Sequence, residues 1–421
     1  MSRAFLTAWR LAIFSFAFAA GTGAFMRYGM FAGLPGGLLL GDVRHAHSHL
    51  MFFSWATPAL ILLASSAARA AGARFASAPC LAIAAAVSGL LAYTPFLLSG
   101  YRLLPLGKAE LPLSMMASGL NGLVWYAFAL AYLLATWGRP RTVALRFFDG
   151  SVALLVLSSL GAVLLAAGGI SGTATQAQMD AFVDMYLTLF ADGWFGLGVL
   201  GALAATLFHA PGRDPRALGV AAWALSAGLG LRTLARLGVD AYGLAWLGVW
   251  ESAFAVVAAA SWLAVVGLLL SSARPRLDRA SRAVGLAVLA LIALKALVEL
   301  AVALPVGEEF VARHGLRVLL LHAFLLGAVT LALAAAMRAL LGRAGWRGLG
   351  WFALTIAVML VFLLPLTGVW PAGLGGPWAL RAAFYTSLGP PLAALLTLAS
   401  SWAQPGSERG PGRPRSTTPA P

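Results

Sequence analysis

The sequence predicts an all-α, polytopic membrane protein of about twelve transmembrane helices, and three observations predict it. First, 61% of the 421 residues are hydrophobic and only 10% are charged, with a mean hydropathy of +0.88. A soluble domain carries roughly 25% charged residues, so this chain cannot make a normal water-facing surface. Second, apolar runs of about 20 residues recur from end to end, each long enough to cross about 30 Å of hydrocarbon. Inside a bilayer every backbone polar group must be satisfied within the segment, so such runs are helices. Third, the basic residues fall in alternate loops.

In chain order the spans read as 4–31, 43–68, 75–99, 111–137, 143–168, 178–208, 216–236, 244–271, 283–304, 313–338, 348–370 and 377–402. Arg3 and Arg10 ahead of the first apolar run resemble a signal peptide, but the run continues through Phe25, past a signal h-region, and reads as an uncleaved helix. The second span opens on a histidine cluster, the sixth carries spaced aspartates, and the ninth holds Lys295 and Glu299. The tenth contains a histidine in an otherwise apolar run. Residues 1–402 form one transmembrane domain, and 403–421, rich in Pro, Gly, Ser and Arg, read as a disordered cytoplasmic tail.

The net charge of +15 raises nucleic acid as a partner, but its distribution argues for topology instead. With the N-terminus in the cytoplasm, the inside loops hold Arg69 and Arg74; Arg139, Arg141 and Arg146; Arg213 and Arg216. Arg274, Arg276, Arg279 and Arg282, Arg343 and Arg347, and Arg409, Arg413 and Arg415 fall on the same side. Outside loops hold chiefly Arg102, Lys108 and Arg236, beside the acidic Glu308 and Glu309. That is the positive-inside pattern of a bacterial inner membrane protein with both termini cytoplasmic and the lipid bilayer as its surroundings. No nucleic-acid partner is expected. The lone Cys80 excludes a disulfide framework and a cysteine metal site.

With loops this short, chemistry has to reside in the helices, where an ionisable group costs roughly 2.5–3.5 kcal/mol on insertion scales and marks a candidate site. Of six histidines, His209 and His314 lie at helix ends and read as interfacial. The cluster Arg44-His45-Ala46-His47-Ser48-His49-Leu50-Met51 opens the second helix. Residues two apart differ by about 200° around a helix, so His45 and His49 share a face and His47 takes the opposite one. One face is free for a cofactor while the other meets a neighbouring helix. His322 sits about ten residues into the tenth span, at a depth comparable with His47 and His49. Two imidazoles at one depth on separate helices are what a heme standing along the membrane normal needs. Asp180, Asp184, Thr188 and Asp192 make a stripe on the sixth helix; Lys295 and Glu299, four apart, are expected to pair; Glu251 enters at similar depth.

Twelve helices with histidines on the outer parts of helices 2 and 10 resemble subunit I of the heme-copper oxidase and nitric-oxide reductase superfamily. Family members commonly follow the helix 2 ligand histidine with Met four residues on and Pro eleven on; His47, Met51 and Pro58 fit, with His49 a competing assignment. His322 with Gly327 matches the second histidine of a helix 10 His-x-His pattern, whose first position is Leu320 here. The resemblance implies a heme-copper-oxidase subunit I-like bundle. It implies a low-spin heme b between helices 2 and 10, held by His47 or His49 and His322. It also implies Arg381, near the outer end of helix 12, as an anchor for heme propionates. The copper-B histidines of helices 6 and 7 are missing: the sixth helix reads Met185-Tyr186-Leu187-Thr188-Leu189-Phe190-Ala191-Asp192, and the seventh has no histidine. The HAHSH motif is also similar to one on helix 2 of other oxidase-like membrane proteins.

Three functions follow as expectations. A b-type cytochrome would pass single electrons from a quinol or a periplasmic carrier, because two imidazoles close both axial positions. A divergent terminal oxidase or nitric-oxide reductase, with a further subunit as partner, would need copper on relocated ligands such as His45, His47 or His49. A nitric-oxide-response or transport protein would use the aspartate stripe for a cation or proton, although no inverted repeat of the transporter kind is visible.

Overall fold

In the computed structural model, residues 2–107, 109–208, 216–271 and 278–402 are described. His209, Lys108, Arg213, Arg274, Arg276, Arg409, Arg413, Arg415 and the segment 403–421 lie outside them. Among the described residues twelve helices are long and apolar enough to cross a membrane. They are α1 (Arg3–Ala32), α2 (Leu40–Ala70), α3 (Ala78–Ser99), α4 (Leu113–Thr136), α5 (Val143–Ser171) and α6 (Gln176–Phe208). Then follow α7 (Arg216–Tyr242), α8 (Leu247–Leu270), α9 (Arg279–Val302), α10 (Arg317–Ala344), α11 (Leu349–Leu366) and α12 (Pro377–Ser401). The chain is therefore an all-α, multi-pass membrane protein. Its described strands are one small hairpin between α3 and α4, Leu104–Leu106 paired antiparallel with Ala109–Leu111. A contiguous buried core runs from Phe5 to Ala394.

Most helix boundaries fall within a few residues of the predicted ones, and two differences have a physical reason. Helix α7 runs to Tyr242 and includes Arg236, which the sequence placed in an outside loop. Arg236 is tolerated there because Asp184, Asp240 and Glu251 surround it at 3.2, 3.3 and 3.7 Å. His314, expected to open the tenth span, instead caps a separate short helix, Pro305–Arg313, and its Nδ1 meets the Phe310 carbonyl at 2.9 Å.

Helices α2, α6 and α10 form the centre: 83%, 78% and 61% of the residues in their most apolar windows are buried, against 56% or less for the others. Indole N–H groups tie them together. Trp55 of α2 donates to Thr330 of α10 at 3.1 Å, and Trp194 of α6 donates to Thr57 of α2 at 3.1 Å. In the bundle interior a bonded indole avoids the cost of an unsatisfied donor. The outer helices present leucine, isoleucine, valine and tryptophan outward, Leu134, Ile170 and Val249 among them, as a lipid-facing surface must.

The same three central helices depart from α-geometry. Wide π-helical turns occupy Leu50–Ala56 in α2, Leu189–Leu197 and Ala204–Phe208 in α6, and Ala323–Thr330 in α10. In α2 the cause is local: Pro58 has no N–H to give and its ring crowds the carbonyl four residues back, so the ladder widens just before it. Such turns concentrate at functional sites. Here they start directly after His49 and His322, and the α6 turn at Leu189–Leu197 contains Asp192.

Candidate functional site

Helix α2 sends its histidines in two directions, because alternate residues fall on opposite faces. His47 turns to α1: its Nδ1 lies 2.8 Å from the Ala19 carbonyl, and its ring packs on Gly23, where an added Cβ would stand 2.9 Å from Cε1. His49 turns the other way, between α3 and α4. Its ring stacks on Phe96 with centroids 3.7 Å apart, and Nδ1 and Nε2 meet the His45 carbonyl and the Ser118 hydroxyl at 2.9 and 2.8 Å. His45, on that same face, packs edge-on to Tyr101 at 4.8 Å. Both ring nitrogens of His49 are engaged, whereas among the described residues His47 is hydrogen-bonded through Nδ1 alone.

On α10, His322 likewise directs Nδ1 at a backbone carbonyl, that of Val318 at 2.7 Å. Its Nε2 lies 3.3 Å from the guanidinium of Arg27, on α1. Arg27 is one turn beyond Gly23 and two beyond Ala19, so a single face of α1 serves both imidazoles. Arg27 is also within electrostatic range of His47, and the two histidines are within range of each other. His47 is the eighth residue of α2, His322 the sixth of α10, and Arg27 lies six from the end of α1, so all three occupy one level at one end of the bundle. Protein surrounds both imidazoles, yet each keeps part of its surface accessible.

Arg27 is the residue that the sequence reading overlooked. It is only 7% exposed and, among the described residues, no carboxylate pairs with it. A buried guanidinium without an anion is costly, since a lost partner leaves the desolvation of a full charge uncompensated. Its i, i+4, i+8 spacing with Ala19 and Gly23 was the available signal, hidden because one arginine near a helix end passes for an interfacial residue. Arg381, the expected propionate anchor, is exposed on α12.

A second polar group lies deeper, on α6 and α9. Lys295 pairs with Glu299, as their spacing predicted, and with Asp192 across helices at 3.1 Å; its ammonium also sits over the Phe324 and Trp262 rings at 4.8 and 5.5 Å. The aspartate stripe is divided among different partners. Asp180 accepts from Gln176 at 2.8 Å, Asp184 pairs with Arg236, and Asp192 with Lys295. Between the two levels, Arg232 on α7 acts electrostatically on Asp192, Glu299 and Glu251.

No family model matches the chain, and no curated protein matches it. Its own residues must therefore carry the functional reading. Among the described residues no three His, Cys, Asp or Glu side chains gather as a metal-holding group. Of the helix 2 histidines, His47 points away from His45 and His49.

The residues at His47, His322 and Arg27 suit a heme chemically. Each imidazole has Nδ1 anchored to a carbonyl, which fixes the ring and leaves Nε2 as the nitrogen for a metal, the arrangement that backbone partners impose on ligand histidines. Arg27 supplies an unanswered positive charge at the same level, where a carboxylate-bearing group would satisfy it.

Proposed function

We propose that this chain is an integral membrane b-type cytochrome built on a heme-copper-oxidase subunit I-like bundle. His47 of α2 and His322 of α10 would hold one low-spin heme, and Arg27 would pair with a propionate. The reading is carried by one observation: a buried arginine with no carboxylate partner among the described residues, placed at the level of two imidazoles whose Nδ1 atoms are already engaged. A heme with two axial imidazoles exchanges single electrons and offers no open iron position to a gas.

The protein's own part is to fix and enclose. The Ala19 and Val318 carbonyls orient the two rings. Trp55 of α2 donates to Thr330, the last residue of the π-helical turn that follows His322, and so ties α10 to α2. The Arg27 guanidinium, now against His322 Nε2, must swing from that nitrogen toward a carboxylate for ligation. Working in a bacterial inner membrane with both termini cytoplasmic, the pair would lie in the outer half of the bilayer, within reach of a quinol or a periplasmic carrier.

The test is a reduced-minus-oxidised optical spectrum of protein purified from heme-replete cells. A low-spin b-type spectrum is expected, lost in both His47→Ala and His322→Ala and kept in His49→Ala. Heme-free protein, or loss of heme only in His49→Ala, refutes the proposal.

A further inference from the structure

Asp192, Lys295 and Glu299 form a group that the cytochrome reading does not use. They meet where α6 and α9 pack beside α10, in the interior of the bundle, with 14% of each side chain exposed. The Lys295 ammonium contacts both the Asp192 carboxylate, at 3.1 Å, and that of Glu299, which sets the two carboxyls side by side. Glu299 Oε2 is buried without a hydrogen-bond partner.

Two carboxylates in such contact repel unless a proton lies between them, because like charges a few ångströms apart in a poorly screened interior cannot both ionise freely. One ammonium answers one of the two negative charges. Among the described residues the remaining cation in range is Arg232 of α7, which acts on both carboxyls and on Glu251 electrostatically, without a hydrogen bond to them. The other walls are aromatic, Trp262 of α8 and Phe324 of α10, and bring no charge. Access is built in. Two turns nearer the histidine end of α6, Asp184 joins Arg236, Asp240 and Glu251 in an ion-pair array whose carboxylate side chains are 24–46% exposed. Arg232 stands one turn from Arg236 and is within electrostatic range of Glu251 in that array and of both interior carboxyls.

We infer that the Asp192–Lys295–Glu299 group is a proton-binding site, holding one proton between the two carboxyls and exchanging it with water through the Arg236 array. Hydronium gives up a proton to one carboxylate and leaves as water; release reverses the step. The group thereby changes its local charge by one unit inside the membrane without breaking the Lys295 pairs. Titration of a site at this depth is coupled to every charge in range, so the proton belongs to the Asp192–Glu299 pair and not to one residue.

The experiment is infrared spectroscopy of the full chain in lipid nanodiscs at neutral pH, in H2O and in D2O. A carboxylic C=O band that shifts on deuteration is expected. It should disappear in Asp192→Asn or Glu299→Gln and persist in Asp184→Asn, with the amide band of each spectrum reporting an intact helical fold. Absence of the band from the wild-type protein overturns the inference without any variant. Survival of the band in both Asp192→Asn and Glu299→Gln does so too. Because the readout needs no heme, its failure is distinct from failure of the cytochrome proposal.

Discussion

Replacing Gly23 by alanine isolates the contact between α1 and the His47 ring. The added methyl would stand 2.9 Å from Cε1 and 3.2 Å from Nδ1, too close to tolerate, and the ring cannot simply rotate away because Nδ1 is bonded to the Ala19 carbonyl. Either α1 backs off or the imidazole tilts. Overpacking of this kind costs about 1–3 kcal/mol. At 1.4 kcal/mol per tenfold, heme affinity should therefore fall by about 5- to 150-fold if the bound ring must keep its present place. The assay is a heme titration of apoprotein followed by the Soret band, with Gly21→Ala as control, since nothing lies within 4 Å of a Cβ added there. Unchanged affinity in Gly23→Ala, in a protein that His47→Ala strips of heme, would show that α1 does not set the ring.

Three further outcomes follow from other contacts. Arg27→Gln should have opposite effects with and without heme. The apoprotein should be unchanged or more stable, since an unpaired buried charge is removed, whereas heme retention should drop by roughly 10- to 150-fold, the equivalent of a charged hydrogen bond worth about 1.5–3 kcal/mol. Spectral titration beside thermal melts checks both signs. Thr330→Val should cost about 1–3 kcal/mol in detergent unfolding, because the buried Trp55 indole loses its acceptor. Asp278, outside the spans, caps α9 by accepting from the Ala280 and Ser281 amides, each at 3.1 Å. Burial raises its pKa, but hydrogen bonds from Ser281 and Arg338 outweigh that and hold it at about 2, below the ordinary 3.8. Its contribution is thus fully present above the ordinary value and is lost as pH falls toward about 2. Asp278→Ala should cost about 0.5–2 kcal/mol at neutral pH, and the difference from wild type should vanish at the acid end of an unfolding series.

Legibility in the sequence followed the range of the interaction. The Lys295–Glu299 pair was readable because both residues sit on one helix four positions apart, but Asp192, the third member, arrives from α6 and has no sequence neighbour to announce it. Likewise Arg236 looked like a loop residue until Asp184 and Glu251, from two other helices, were found to neutralise it inside α7.

The helices were fixed by composition and periodicity, because hydrocarbon leaves the backbone no partner outside its own segment. Local geometry also divided His47 from His45 and His49, since alternate positions on a helix face apart whatever surrounds them. Tertiary packing alone decided which face meets which neighbour: His47 against Ala19 and Gly23, His49 against Phe96 and Ser118, and Arg27 at His322. Those contacts join residues up to 295 positions apart, and their partners are set by how whole helices pack, which no local spacing records.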